Sequence, residues 1–160
     1  DSYYNVVALE VDKRDFIYFN DPNMVSTTSA DLPKMLMKYK DVDIILVDLN
    51  SYESEDVCND VLYLLEPSVI KLNKLLMVNR GVFNKMAGKK IVLNKSLLTS
   101  KDVLDFEYEA NTKVFYNMPP LDERKNNENY INPFLSKLGF VKQVKEVNEN
   151  KGKIFGLFKF

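Results

Sequence analysis

Five short apolar runs punctuate the chain, and each is closed by polar or turn residues. Val6-Val7-Ala8-Leu9-Glu10-Val11 stops at Asp12-Lys13-Arg14-Asp15, and Ile44-Ile45-Leu46-Val47 stops at Asp48-Leu49-Asn50-Ser51. Val61-Leu62-Tyr63-Leu64-Leu65 stops at Glu66-Pro67-Ser68, and Ile91-Val92-Leu93 at Asn94-Lys95-Ser96. The fifth run, Val114-Phe115-Tyr116, stops at Asn117-Met118-Pro119-Pro120. Most of these runs do not alternate apolar with polar positions. Strands of that kind are buried on both faces, as in a parallel sheet covered by helices.

The intervening segments carry helix signals. Ser29-Ala30-Asp31-Leu32-Pro33 reads as a cap and first turn before Met35–Tyr39. Ser54 precedes Glu55 and Asp56, acids placed where a helix N-terminus favours them. Leu72, Leu75, Leu76, Val82, Phe83 and Met86 form a stripe near period 3.6, with Gly88 placed to close it. Thr99 with Asp102 forms a capping-box pattern before Val103–Tyr108. Asn132-Pro133 reads as N-cap and first helical residue, with Phe134, Leu135 and Leu138 inward and Gly139 at the end.

Alternating strands and helices predict an α/β fold: a three-layer, mostly parallel doubly wound sheet flanked by helices. Right-handed crossovers then bring the strand ends, with Asp12, Asp48 and Asn94, to one edge. Ligands bind such sheets at that carboxyl edge, where the strand order reverses. No interdomain linker interrupts residues 1–140. Residues 141–160 are expected to form a C-terminal hairpin or a tail packed on that domain.

Composition narrows the chemistry. Hydrophobic residues make up 46% and charged residues 28% of 160, which suits a globular domain with a core. Lys plus Arg (22) nearly cancels Asp plus Glu (23), so no field for general nucleic-acid binding arises. There is no histidine, which removes Ser-His-Asp triads, Cys-His dyads and His-ligated metal centres. The single cysteine, Cys58, builds neither a disulfide nor a zinc site and reads as a small buried hydrophobe. No run reaches the length of a membrane-spanning helix, no signal peptide is evident, and a lone thiol suits a reducing compartment; the expected location is cytoplasmic. The chain opens Asp1-Ser2-Tyr3-Tyr4 without Met, which reads as a fragment of a longer chain.

The strand ends hold the candidate residues. Asp12 and Asp48 follow buried strands, a placement that suits Mg²⁺ binding, directly or through water. The ordinary alternative is that each Asp caps its own turn. Asn94-Lys95 follows the fourth run; an Asn amide has a donor and an acceptor that match a purine edge. Pro119-Pro120 forms a rigid wall beside such a base. For these residues the ordinary alternative is a plain turn.

This order of motifs resembles the MinD/ParA group of P-loop ATPases. Val42–Leu49 looks like its Walker B strand, Val61–Ser68 like its next strand and Pro-containing loop, and Lys90–Lys95 like its base-recognition strand. Lys113–Pro120 looks like the strand and loop flanking adenine, and Asn5–Asp12 like the strand after the P-loop helix. The resemblance spans about residues 5–140 and is nearest to the TadZ/CpaE pilus-localisation proteins. It implies ATP and Mg²⁺ as cofactors, homodimerisation, and positioning of a cellular cargo. In that reading Asp48 orients Mg²⁺ or its water, Asp12 assists in the switch region, and Asn94, Lys95 and Pro119 flank the base. The group's Gly-rich phosphate loop has no counterpart here: Gly81, Gly88, Gly139, Gly152 and Gly156 form no such loop. Its central P-loop strand would precede Asp1, and without it two strand edges in the middle of the sheet lack a partner. This chain is therefore expected neither to hydrolyse ATP nor to bind it at micromolar concentration.

Two other functions fit the residues. One is a non-catalytic domain that binds a partner protein on an ATPase-like fold. The other is a receiver-like regulatory domain with Asp48 as phosphoacceptor, Asp12 as acidic neighbour and Lys95 as its lysine. The lack of a clear strand between Asp12 and Asp43 counts against the receiver. MinD-like proteins often end in a basic amphipathic helix that lies on membranes. Lys151–Phe160 has lysines beside apolar residues, but Gly152 and Gly156 weaken a helix, so a hairpin or packed tail is preferred to membrane contact.

Overall fold

The computed structural model describes residues 4–49, 52–68, 81–140 and 153–159. The chain has the expected α/β architecture, parallel strands flanked by helices. It divides into two compact units: Asp1–Leu62 with Lys142–Lys159, and Tyr63–Val141 with Phe160.

In the first unit, β1 (Val6–Val11), β2 (Met24–Thr27), β3 (Ile44–Asp48) and β7 (Lys153–Lys159) lie in the order β2-β1-β3-β7. The three pairings are all parallel. Val7 and Leu9 register with Ile45 and Val47. All four side chains are at most 3% exposed, and they share one face because the pleat alternates. The other face carries Glu10 opposite Asp48. Helix α1 (Leu32–Lys38) begins after Asp31 and contains Pro33 in its first turn, where a missing N–H breaks no helical bond. Leu32 is buried, a contribution of about 2 kcal/mol.

Several expectations need correcting in this unit. A second strand does exist between Asp12 and Asp43. β2 is the four-residue segment Met-Val-Ser-Thr, half-buried throughout, so it presents no apolar run. The objection it raised to a receiver-like layout falls. The helix expected from Ser54 is a 3-10 turn, Tyr52–Val57. The chain's end forms β7, in register with β3 from Ile44↔Lys153 to Asp48↔Leu157. β3, in the position of the expected Walker B strand, is thus paired on both edges. Residues 141–152 lie outside those described. Gly156 pairs with Val47 and sits against Leu49 and Cys58: a Cβ there would fall 2.7 Å from Leu49 Cδ1 and 2.9 Å from Cys58 Sγ.

In the second unit the order is β4-β5-β6, with β4 (Asp60–Leu65) entering from the first unit, β5 (Lys90–Leu93) and β6 (Val114–Asn117). β5 and β6 are parallel, with an irregularity between Ile91 and Val92. Tyr63, Leu65, Met86, Ile91, Val92, Leu93, Phe106 and Met118 are buried. Helix α2 (Val82–Met86) ends before Gly88, which takes φ +77°, the left-handed turn expected of it. The part of the apolar stripe before Gly81 lies outside the described residues. Helix α3 (Ser100–Glu109) carries the expected capping box: Asp102 donates its N–H to Thr99 Oγ1, and Thr99 donates its N–H to the Asp102 carboxylate.

Helix α4 (Glu128–Lys137) starts five residues before the expected Asn132-Pro133 boundary, and Pro133 lies inside it. Tyr130 and Ile131 already donate to Asn127 O, so the first turn closes upstream. An exposed helix tolerates the one missing bond at Pro133 because water serves the orphaned carbonyl. Phe134 packs on Tyr116 at 5.2 Å between centroids, but Leu135 is 37% exposed and no residue of α4 is buried. No helix among the described residues is long and apolar enough to cross a membrane.

Candidate functional site

The first unit has a switch in strand order. From β1 the chain goes to β2 on one side and then to β3 on the other. The crevice past the carboxyl ends of β1 and β3 is therefore where a ligand is expected, and the structure brings Asp12 and Asp48 to it.

Both carboxylates are engaged by the protein. Asp12 takes φ +56°, a conformation Asp tolerates better than most residues. Its N–H extends the ladder to Thr27 O at 2.9 Å. Its two carboxylate oxygens accept the backbone N–H of Ser29, at 3.1 Å, and the Ser29 hydroxyl. Those two bonds hold its carboxyl below the usual range, the hydroxyl bond first. Asp12 thus joins the end of β1 to the turn that starts α1. Asp48 Oδ1 lies 3.5 Å from the Lys13 ammonium, with side-chain exposures of 14% and 29%.

Sequence reasoning passed over Glu10. Its side chain shares a face with Asp48 on the neighbouring strand and is 1% exposed. Its Oε1 accepts the Phe16 N–H at 2.8 Å and the Ser26 hydroxyl at 2.5 Å. A buried carboxylate needs such donors, and they fasten the β1–β2 loop to the sheet. The signal was an acid inside the apolar run Val-Val-Ala-Leu-Glu-Val. The fastened loop makes a 3-10 turn over Phe16–Tyr18, with Phe16 and Phe19 stacked edge to face at 6.2 Å. Its tip exposes Ile17, Tyr18 and Phe19 by 63%, 83% and 56%.

Asn94, Lys95 and Pro119 gather at the strand ends of the second unit. The Asn94 N–H donates to Leu65 O at 2.7 Å, which ties the ends of β4 and β5. Met118 donates to Leu93 O, and buried Ser96 donates to Met118 O, so the Pro119 loop is held against Asn94-Lys95. Pro119 is half-buried and Pro120 exposed. Lys95 takes φ +53°, and its ammonium reaches Glu66 at 3.7 Å in an exposed pair. Asn117 donates from Nδ2 to Leu98 O, while its Oδ1 is buried without a hydrogen-bond partner.

Asp12 is held by two hydrogen bonds from Ser29, whereas the buried Asp48 Oδ1 makes none and lies 3.5 Å from the Lys13 ammonium. Among the described residues no three metal-ligating side chains converge. No Gly-rich loop offers backbone N–H groups to phosphate. Burial, then Glu55, pushes the Cys58 thiol up to about 11. Compared with known proteins, the chain matches no family model, no curated protein and no solved structure.

Proposed function

We propose that this chain is a non-catalytic protein-interaction domain on an ATPase-like α/β layout. The observation that carries this reading is the tip Ile17-Tyr18-Phe19: three adjacent large apolar side chains exposed on a loop that Glu10 fastens to the sheet. A fastened apolar tip loses little conformational entropy on docking. Its remaining charges favour one kind of partner. Lys13 is paired with Asp48, which leaves Arg14 against Asp15 and Asp21 beside the tip. The partner is accordingly a protein whose apolar pocket is rimmed by lysine or arginine. An acidic rim disfavours both anionic lipid and a second copy of the same tip.

The test is a photo-reactive phenylalanine analogue at position 18. A single protein adduct is expected, competed away by excess parent chain but not by an Ile17→Ser/Phe19→Ser variant that melts like the parent. An adduct that both competitors remove equally, or no adduct at all, contradicts the reading.

One observation favours a second reading, a nucleotide-binding domain of the MinD/ParA-like type. β7 pairs with the edge of β3 away from β1, an edge that the resemblance leaves open. ATP, Mg²⁺ and homodimerisation belong to that reading. The receiver-like alternative gains β2, but the acidic neighbour it needs, Asp12, has both oxygens engaged by Ser29.

A further inference from the structure

We infer that Lys13 is a built-in cation of the β1–β3 crevice, its ammonium standing beside Asp48 where the resemblance places Mg²⁺, so that this edge is assembled without metal or nucleotide. Glu10 and Asp48 are register partners on one face of the sheet, on strands about 4.8 Å apart. Glu10 is 1% exposed, and a buried carboxylate needs donors or an opposite charge beside it. The donors from Phe16 and Ser26 serve Glu10, whereas the buried Asp48 Oδ1 makes no hydrogen bond and has the Lys13 ammonium 3.5 Å away. Chain geometry puts Lys13 there. The left-handed turn at Asp12, stapled by Ser29, redirects the backbone immediately past β1, and the next side chain reaches the end of β3.

Burial sets this pair apart from Lys34–Asp31 and Lys125–Asp122, whose side chains are 82%/54% and 78%/47% exposed. Water and salt screen those exposed pairs; the Lys13–Asp48 pair is much less screened. The same contact gives the β1–β2 loop a third attachment, besides Glu10–Phe16 and Asp12–Ser29, and so fixes the approach to Ile17–Phe19 with no ligand bound.

Thermal melts with EDTA or millimolar MgCl₂ test this with no partner protein required, so the result is separate from the docking proposal. The parent should melt identically in both. Lys13→Met should melt lower by about 3–6 °C, and Mg²⁺ should restore part of that loss. Lys13→Met/Asp48→Asn should lose less than the two single variants added together. A Mg²⁺-dependent rise in the parent that vanishes in Asp48→Asn would overturn the inference, as would a Lys13→Met melt equal to the parent's. Should Lys13→Met fail to fold, acetylation rates by mass spectrometry in the parent decide. Lys13 should react several-fold more slowly than Lys34, and the protection should disappear in Asp48→Asn; equal rates in the parent refute the inference.

Discussion

The carboxyl ends of β1 and β3 and those of β5 and β6 are built from similar residues but finished differently. Each has a non-glycine residue in the left-handed region, Asp12 in the first and Lys95 in the second. At Asp12 the strain is repaid locally, because that backbone aims the carboxylate at both donors of Ser29. At Lys95 the reward is an exposed 3.7 Å ion pair to Glu66, worth little in water. Buried Glu10 has two donors, whereas Asn117 keeps a buried oxygen without one. The first edge is closed by its own residues. Each edge keeps one buried oxygen that makes no hydrogen bond: Asp48 Oδ1 in the first, with the Lys13 ammonium 3.5 Å away, and Asn117 Oδ1 in the second, a feature that a binding site tolerates and a purely structural turn does not need.

The largest effect that would break this comparison is at Glu10. Glu10→Leu leaves the Phe16 N–H and the Ser26 hydroxyl without their acceptor, and a loss of about 3 kcal/mol is expected in urea unfolding. Glu10→Gln retains an acceptor and should lose less than half of that. If Glu10→Leu unfolds like the parent, the loop is not fastened as described.

Gly156→Val comes next. Its Cβ would meet Leu49 and Cys58 below 3 Å, and overpacking at this buried position should cost about 1–3 kcal/mol. The same denaturation curves measure it. No loss would mean that β7 does not hold this register.

A pair of glycine substitutions should give opposite signs. Lys95→Gly relieves a backbone that an L-residue adopts at a cost of about 1–2 kcal/mol, so it should be neutral or slightly stabilising. Asp12→Gly keeps the turn but loses both Ser29 bonds, and should lower the melting temperature. Equal shifts for the two would erase the distinction between the edges.

The smallest effect is acid sensitivity. Asp12, Asp31, Asp102 and Glu107 are all held below their ordinary values, 3.8 for the aspartates and 4.5 for the glutamate. The first cause is a hydrogen bond from the side chain of Ser29, Lys34, Thr99 and Lys113 respectively. A carboxyl depressed on folding adds stability above its unfolded value and loses it as pH falls through the folded value. Melting temperatures should therefore hold near neutrality and fall below about pH 4. Asp12→Asn should show a shallower acid limb than the parent.

The runs that became β1, β3 and β5 were legible because heavy burial leaves an apolar string, and β6, half-buried throughout, because Val114-Phe115-Tyr116 is apolar all the same. β2 was not, since Met24-Val25-Ser26-Thr27 holds only two apolar residues. The capping box at Thr99 was readable from two residues, whereas the start of α4 was not. Pro133 mimics a first-turn proline, while Asn127, with no side-chain cap bond, sets the boundary. For the chain's end, Gly152 and Gly156 argued against a helix and for a hairpin or packed tail; the close approach of Leu49 and Cys58 to Gly156 depends on the pairing with β3 and was not legible. Asp12 and Asp48 were found by position alone. Their partners depend on the left-handed turn at Asp12 and on the parallel register, neither of which is local to the residues themselves.

The central claim is that the β1–β3 edge is closed by Lys13 and Ser29 and serves to present a docking loop rather than to hold nucleotide. Calorimetric titration of Mg-ATP into the 160-residue chain tests it most directly. The account predicts no saturable heat at micromolar nucleotide. Saturable heat that disappears in Asp48→Asn would contradict it.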